Sequence, residues 1–155
     1  MRQKSKQETR ERRNRAWREV SEIVGSLDGL PANFRNGLYC LTRAGLPDDE
    51  IRLAHQRACS WLAKAKNGIG ECECSCGTKL PVDAVNSQRQ SVWCLDHDPR
   101  TKRFRGVLFE QCNREIGDGD RHRKIAHVDY VLANDARLAQ TDVVQTENEF
   151  LREVD

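Results

Sequence analysis

The sequence predicts an α+β protein: a helical N-terminal region, a small strand–loop–strand–helix core, and one further helix before the C-terminal tail. Three observations carry this reading. Apolar residues recur at three- and four-residue steps in the first 68 residues, the spacing of a helix face. After Gly70 the character changes to clustered cysteines, short strands and turns. The run WCLDHDPRTKRFRGVLFEQCNREIG, from Trp93 to Gly117, then reads as strand, turn, strand and helix. The chain divides accordingly into a helical region with a basic leading arm over 1–68, a core plus C-terminal helix over 69–139, and an acidic, capless tail over 140–155 that is expected to be disordered.

The first helix is expected from about Gln7 to Leu27, where Trp17, Val20, Ile23, Val24 and Leu27 share a face while the leading turns are wholly polar. Gly29 to Pro31 punctuate, and Phe34, Leu38 and Leu41 mark a second helix ending near Gly45. The third starts at Asp48, with Asp49 and Glu50 in its first turn, and stops at Asn67 and Gly68. Its stripe is Ile51, Ala54, Ala58, Trp61, Leu62 and Ala65. The helix pair joined by AGLPDD has the look of a helix-turn-helix. No base-contacting pattern accompanies it, which leaves plain helix packing as the other reading.

Val92 to Asp96 read as a strand, PRTK as a turn, Phe104 to Phe109 as a second strand, and a helix follows from about Gln111. Beyond about Asp120 a last helix is expected, with Ile125, Val128, Leu132 and Ala136 on one face.

Composition narrows the function. Charged residues make up 32% and hydrophobic ones 37%, a polar balance that leaves a modest core. The net charge of +2 averages over unequal ends. Between Arg2 and Arg15 stand seven basic residues against Glu8 and Glu11, whereas 141–155 carry five acids against Arg152. A basic leading segment suits a polyanion such as DNA, or is a solvated helix face. No apolar run approaches a membrane span and no secretory signal is evident, so a soluble, cytoplasmic protein without membrane contact is expected. Seven cysteines, three of them in ECECSCG, suit metal binding in a reducing compartment better than a disulfide framework.

The strand–loop–strand–helix order brings Asp96 and His97 near the start of the helix that carries Asn113. Phosphodiester cleavage needs a divalent cation to stabilise the departing oxygen and a base to take a proton from water. Asp96 and Asn113 offer hard oxygen ligands for Mg²⁺ or Mn²⁺, and His97, neutral near physiological pH, suits the base. Taken singly, each has an ordinary structural explanation: a turn, a hydrogen-bonded pair, a helix cap. Arg100, Lys102, Arg103 and Arg105 crowd the same turn and strand, where they would anchor a phosphate backbone or remain solvated turn charges.

These residues resemble the phage recombination endonuclease VII family: Asp96, His97 and Asp98, then Arg105 and Gly106, then Cys112, Asn113 and Gly117, about a third of the chain. The resemblance implies a ββα-metal (His-Me finger, HNH-like) DNA endonuclease, structure-selective on branched DNA, with Asp96 and Asn113 holding the catalytic metal and His97 as general base. It further implies a structural Zn²⁺ that staples the core, a homodimer and a phage setting, although most helical sequence here precedes the core. Two positions depart from the pattern. Pro99 replaces a second histidine, for which Asp98 could substitute, and Phe109 replaces the first cysteine of the second zinc pair. The zinc site would therefore draw on Cys72, Cys74, Cys76 and Cys112, and requires a turn at Glu73 to Ser75 because alternate strand residues spread about 6 to 7 Å. Cys94 is an alternative fourth ligand or a core residue. Cys40 and Cys59 are expected to be small buried apolar residues. The other functional class that remains is a non-catalytic, zinc-stabilised nucleic-acid-binding or assembly module, with the N-terminal helices holding a protein partner or a second copy.

Overall fold

The computed structural model describes residues 2–117 and 127–134. Three helices lead: α1 (Arg2–Val24), α2 (Ala32–Arg43) and α3 (Asp48–Lys64). A short hairpin follows, β1 (Ile69–Glu71) with β2 (Lys79–Pro81), then a longer one, β3 (Trp93–Asp98) with β4 (Arg103–Phe109). Helix α4 (Glu110–Gly117) continues directly from β4, and 127–134 form α5. The chain is thus a mixed α+β fold with two small antiparallel sheets.

The core explains why the leading helices do not stand apart. Phe34, Leu38 and Leu41 of α2 and Ile51, Ala54 and Ala58 of α3 are buried in one cluster with Trp93, Phe104, Val107 and Leu108 of the long hairpin. The break in sequence character near residue 68 is therefore crossed by a continuous core. Both members of the helix pair spend their apolar faces on this hairpin, as plain helix packing requires. At the centre, Trp61 lies between Phe34 (5.6 Å between ring centroids) and Trp93 (4.7 Å, edge-on). Each indole also finds an acceptor: Trp61 donates to the Glu71 carbonyl at 2.8 Å and Trp93 to the Pro81 carbonyl at 2.9 Å.

α1 packs only through its second half. Ala16 and Val20 are buried, while 5–15 are exposed throughout, because no apolar side chain stands between Arg2 and Arg15 to draw that half onto the core. α3 begins at Asp48 behind Pro47, with three acids in its first turn where the helix dipole favours them. The chain then leaves α3 through Asn67 and Gly68, both in the left-handed region (φ 53° and 72°).

Two sequence expectations are corrected. On α5 the buried residues are His127 and Tyr130, while Val128 and Leu132 are exposed; an apolar periodicity without a tertiary partner points to the wrong face. Ile125, Ala136 and the acidic tail lie outside the described residues. Cys40 and Cys59 sit on the exposed faces of their helices rather than in the core. Among the described residues no helix is long and apolar enough to cross a membrane.

Candidate functional site

Two constellations border the long hairpin. The first is a cysteine cluster. The sulfurs of Cys72, Cys74, Cys76 and Cys112 all lie within 4.8 Å of one another. Cys72 and Cys74 are 3.3 Å apart and Cys76 and Cys112 3.5 Å. A tetrahedral zinc with sulfurs at about 2.3 Å separates them by about 3.8 Å, so the set fits one ion.

The turn that this spacing demands is present: the Ser75 N–H donates to the Cys72 carbonyl at 3.2 Å, and Ser75 takes φ 63°. It folds the alternate cysteines back onto one point. Phe109, which stands where the resemblance implies a cysteine, contributes its backbone N–H to Cys72 Sγ at 3.3 Å. The knuckle's third cysteine thus takes the place of the thiol missing at 109. Cys94 lies outside the cluster and its thiol is pushed up to about 11 by burial.

Burial raises the Cys74 thiol and lifts Cys112 to about 12. Burial also works upward on Cys76, but its hydrogen bonds with Thr78, Cys74 and Cys112 outweigh this and bring it to about 6. Sulfurs this close can all release their protons to solvent only when a cation compensates the thiolate charges.

The second constellation surrounds Asp96. Asp96, His97, Pro99, Arg105 and Asn113, with Cys40, Leu41 and Leu95, line one cavity of about 240 Å³ between α2, β3 and α4. A β-bulge creates it. Asp96 pairs with Gly106 and His97 with Phe104, leaving Arg105 as the extra residue, so its side chain turns toward Asp96 instead of alternating away.

Arg105, expected to meet a phosphate, is buried and grips Asp96: Nε to Oδ2 at 2.8 Å and Nη2 to Oδ1 at 3.2 Å, with a further bond to the His97 carbonyl at 3.2 Å. The Tyr130 hydroxyl donates to Oδ2 at 3.0 Å. Gly106 makes room for it, since a Cβ there would lie 2.9 Å from the tyrosine oxygen. Burial raises the Asp96 pKa although Arg105 and Tyr130 oppose it.

His97 is half-buried, and burial lowers its pKa, with Lys102 and Arg105 adding to this and Asp96 opposing it. The imidazole is neutral at physiological pH. The Asn113 carboxamide is half-buried and has no hydrogen-bond partner among the described residues. Asp98 caps the turn, its Oδ1 accepting the Arg100 N–H at 2.8 Å. Burial works against ionising it, yet the Arg100 and Thr101 N–H groups hold its pKa below the ordinary value. Arg100 and Lys102 are exposed on that turn and Arg103 is half-buried at its end.

Oδ2 of Asp96 is filled by Arg105 and Tyr130, whereas Oδ1 receives one bond and keeps a lone pair. Asn113 lines the same cavity as Asp96. Arg105 neutralises much of the Asp96 carboxylate charge.

Reasoning from sequence missed the support of this site. Tyr130 holds Asp96; Glu50 accepts the Phe104 N–H at 2.8 Å beside the bulge; and Glu73 accepts the Val107 N–H at 2.8 Å while pairing with Arg57 at 2.9 Å. The one available signal was the Arg-Gly pair, since a glycine inside a strand marks a close approach. Comparison of the chain with protein-family models, with characterised proteins and with solved structures returns no match.

Proposed function

We propose that the protein is a divalent-metal-dependent DNA endonuclease of the ββα-metal type, similar to the endonuclease VII family. The observation that supports it best is that Asp96, His97 and Asn113, from a strand and a helix, line one small cavity. A structural Zn²⁺ on Cys72, Cys74, Cys76 and Cys112 would tie the knuckle to α4, and so keep Asn113, the residue after Cys112, facing β3.

Asp96 and Asn113 would hold Mg²⁺ or Mn²⁺, which supplies charge stabilisation to the phosphate and the departing oxygen. His97 accepts the proton of the attacking water as the new P–O bond forms and the ester P–O bond breaks. Arg105 and Tyr130 fix the direction of the Asp96 carboxylate and compensate its burial. Arg100, Lys102 and Arg103 on the adjacent turn, and Lys6, Arg10, Arg12, Arg13 and Arg15 on the exposed half of α1, present positive charge to a DNA backbone. That half of α1 carries no apolar stripe, which favours a polyanion there over a helix–helix dimer.

His97→Ala is expected to abolish magnesium-dependent plasmid nicking, a loss of about 10²–10⁴-fold, without changing the fold. Parental activity should fall as the pH drops through a value below the ordinary histidine pKa of about 6.5, because the base acts only when deprotonated. A variant that nicks as fast as the parent removes His97 from the mechanism. One observation favours a second reading. The buried Arg105 grip on Asp96 suits a zinc-stabilised DNA-binding or assembly module, and tight DNA binding with no nicking in Mg²⁺ or Mn²⁺ would establish that alternative.

A further inference from the structure

A second, larger cavity of about 770 Å³ lies between α2 and the loop 83–91, and no role has yet been assigned to it. Its lining combines apolar Phe34, Trp93 and Leu95 with the carboxamides of Asn33, Asn36 and Gln90, and carries one charge of each sign, Asp83 and Arg89. The lining is held in place. Asn33 Nδ2 donates to Ser91 Oγ at 2.8 Å, joining α2 to the loop. Asn86 Oδ1 accepts the N–H groups of Gln88 and Gln90 at 2.9 and 3.0 Å, and its Nδ2 donates to Glu110 at 3.1 Å. Asn36 Oδ1 accepts the Trp17 indole N–H at 2.9 Å.

These bonds leave the Asn33 oxygen, the Asn36 amide hydrogens and the whole Gln90 carboxamide for a ligand. Apolar side chains together with amide donors and acceptors complement a nucleobase, which offers a flat face and an edge of alternating donors and acceptors. The volume is that of a small-ligand site.

The cavity adjoins the one at His97, since Cys40 and Leu95 line both. Leu95 and His97 stand two residues apart on β3, about 7 Å along the strand. We propose that this groove seats one unpaired nucleotide of a DNA strand next to the phosphate in the His97 cavity, so that the protein selects sites where a base has left the duplex. A stacked, paired base cannot enter between two walls, whereas a bulged or displaced one can. The placement of the phosphate rests on the nuclease reading; the base site does not.

Anisotropy of two fluorescein-labelled duplexes, one perfect and one with a single unpaired base, tests this on the zinc-loaded full chain without magnesium. The parent is expected to bind the bulged duplex at least about tenfold more tightly. The double variant Asn36→Ala/Gln90→Ala, at two exposed positions, should lose about tenfold on the bulge and stay within about twofold on the perfect duplex. Ala32→Trp, which adds bulk at an exposed lining position, should do the same. Equal binding of both duplexes by the parent, or equal loss on both by the variants, overturns the proposal. If His97→Ala nicks like the parent while the bulge preference persists, the nuclease reading falls and the base site stands. If nicking needs His97 but the bulge preference is absent, the base site falls alone.

Discussion

Removing the Arg105 side chain is the sharpest test of how the site is held. The Arg105 and Asp96 side chains are 9% and 5% exposed, and Arg105 makes three hydrogen bonds, two to Asp96 and one to the His97 carbonyl. Arg105→Ala leaves a buried carboxylate with only the Tyr130 hydroxyl, an uncompensated charge worth about 3–5 kcal/mol. For a domain with total stability of about 5–15 kcal/mol, that is a large fraction.

The penalty carries a pH signature. Burial already holds the Asp96 pKa above its unfolded value, so its contribution to stability is full below about pH 4 and is lost as the pH rises through the folded value. Without Arg105 the folded value rises further and the window extends upward. Urea unfolding followed by tryptophan fluorescence, in saturating zinc at pH 5 and pH 8, should show a gap to the parent that narrows on acidification. Adding Asp96→Asn should restore most of the loss, since a neutral carboxamide needs no guanidinium. A gap under about 1 kcal/mol at both pH values, or one indifferent to pH, would refute the buried-pair argument, because that is how an exposed pair behaves.

Elemental analysis should find about one zinc per chain, and Cys112→Ser should lose it and loosen α4; a parent purified without zinc, yet fully stable, would refute the site. Zinc uptake near pH 7 should release protons, mostly from the raised Cys74 and Cys112 thiols, read as a buffer-dependent heat in calorimetry. Tyr130→Phe removes one bond to a buried carboxylate, an expected loss of about 1.5 kcal/mol in urea unfolding. No change would mean that α5 does not support the site. Gly70→Ala places a Cβ 2.2 Å from the Trp61 ring and should cost about 1–3 kcal/mol by overpacking; an unchanged melting temperature would show that the indole yields freely.

Helices α1 to α3 and the long hairpin were legible from the chain because each carries a local periodicity that any burial would satisfy. The cysteine knuckle was legible too, down to its turn: three thiols at alternate positions cannot meet one ion on an extended strand. The face of α5 was misread for the complementary reason. Val128 and Leu132 share a helical stripe, but the helix is anchored by Tyr130 reaching a carboxylate 34 residues earlier, and no local pattern encodes so distant a partner.

The amino-acid order alone therefore determined which residues can do chemistry here, because ligand type and basicity are properties of single side chains and their spacing. Which of them meet was decided by tertiary structure. The bulge at Arg105 turned an expected phosphate contact into the buried partner of Asp96, and packing α2 against β3 opened the groove beside His97. Both depend on contacts between segments tens of residues apart, which only the closed core brings together.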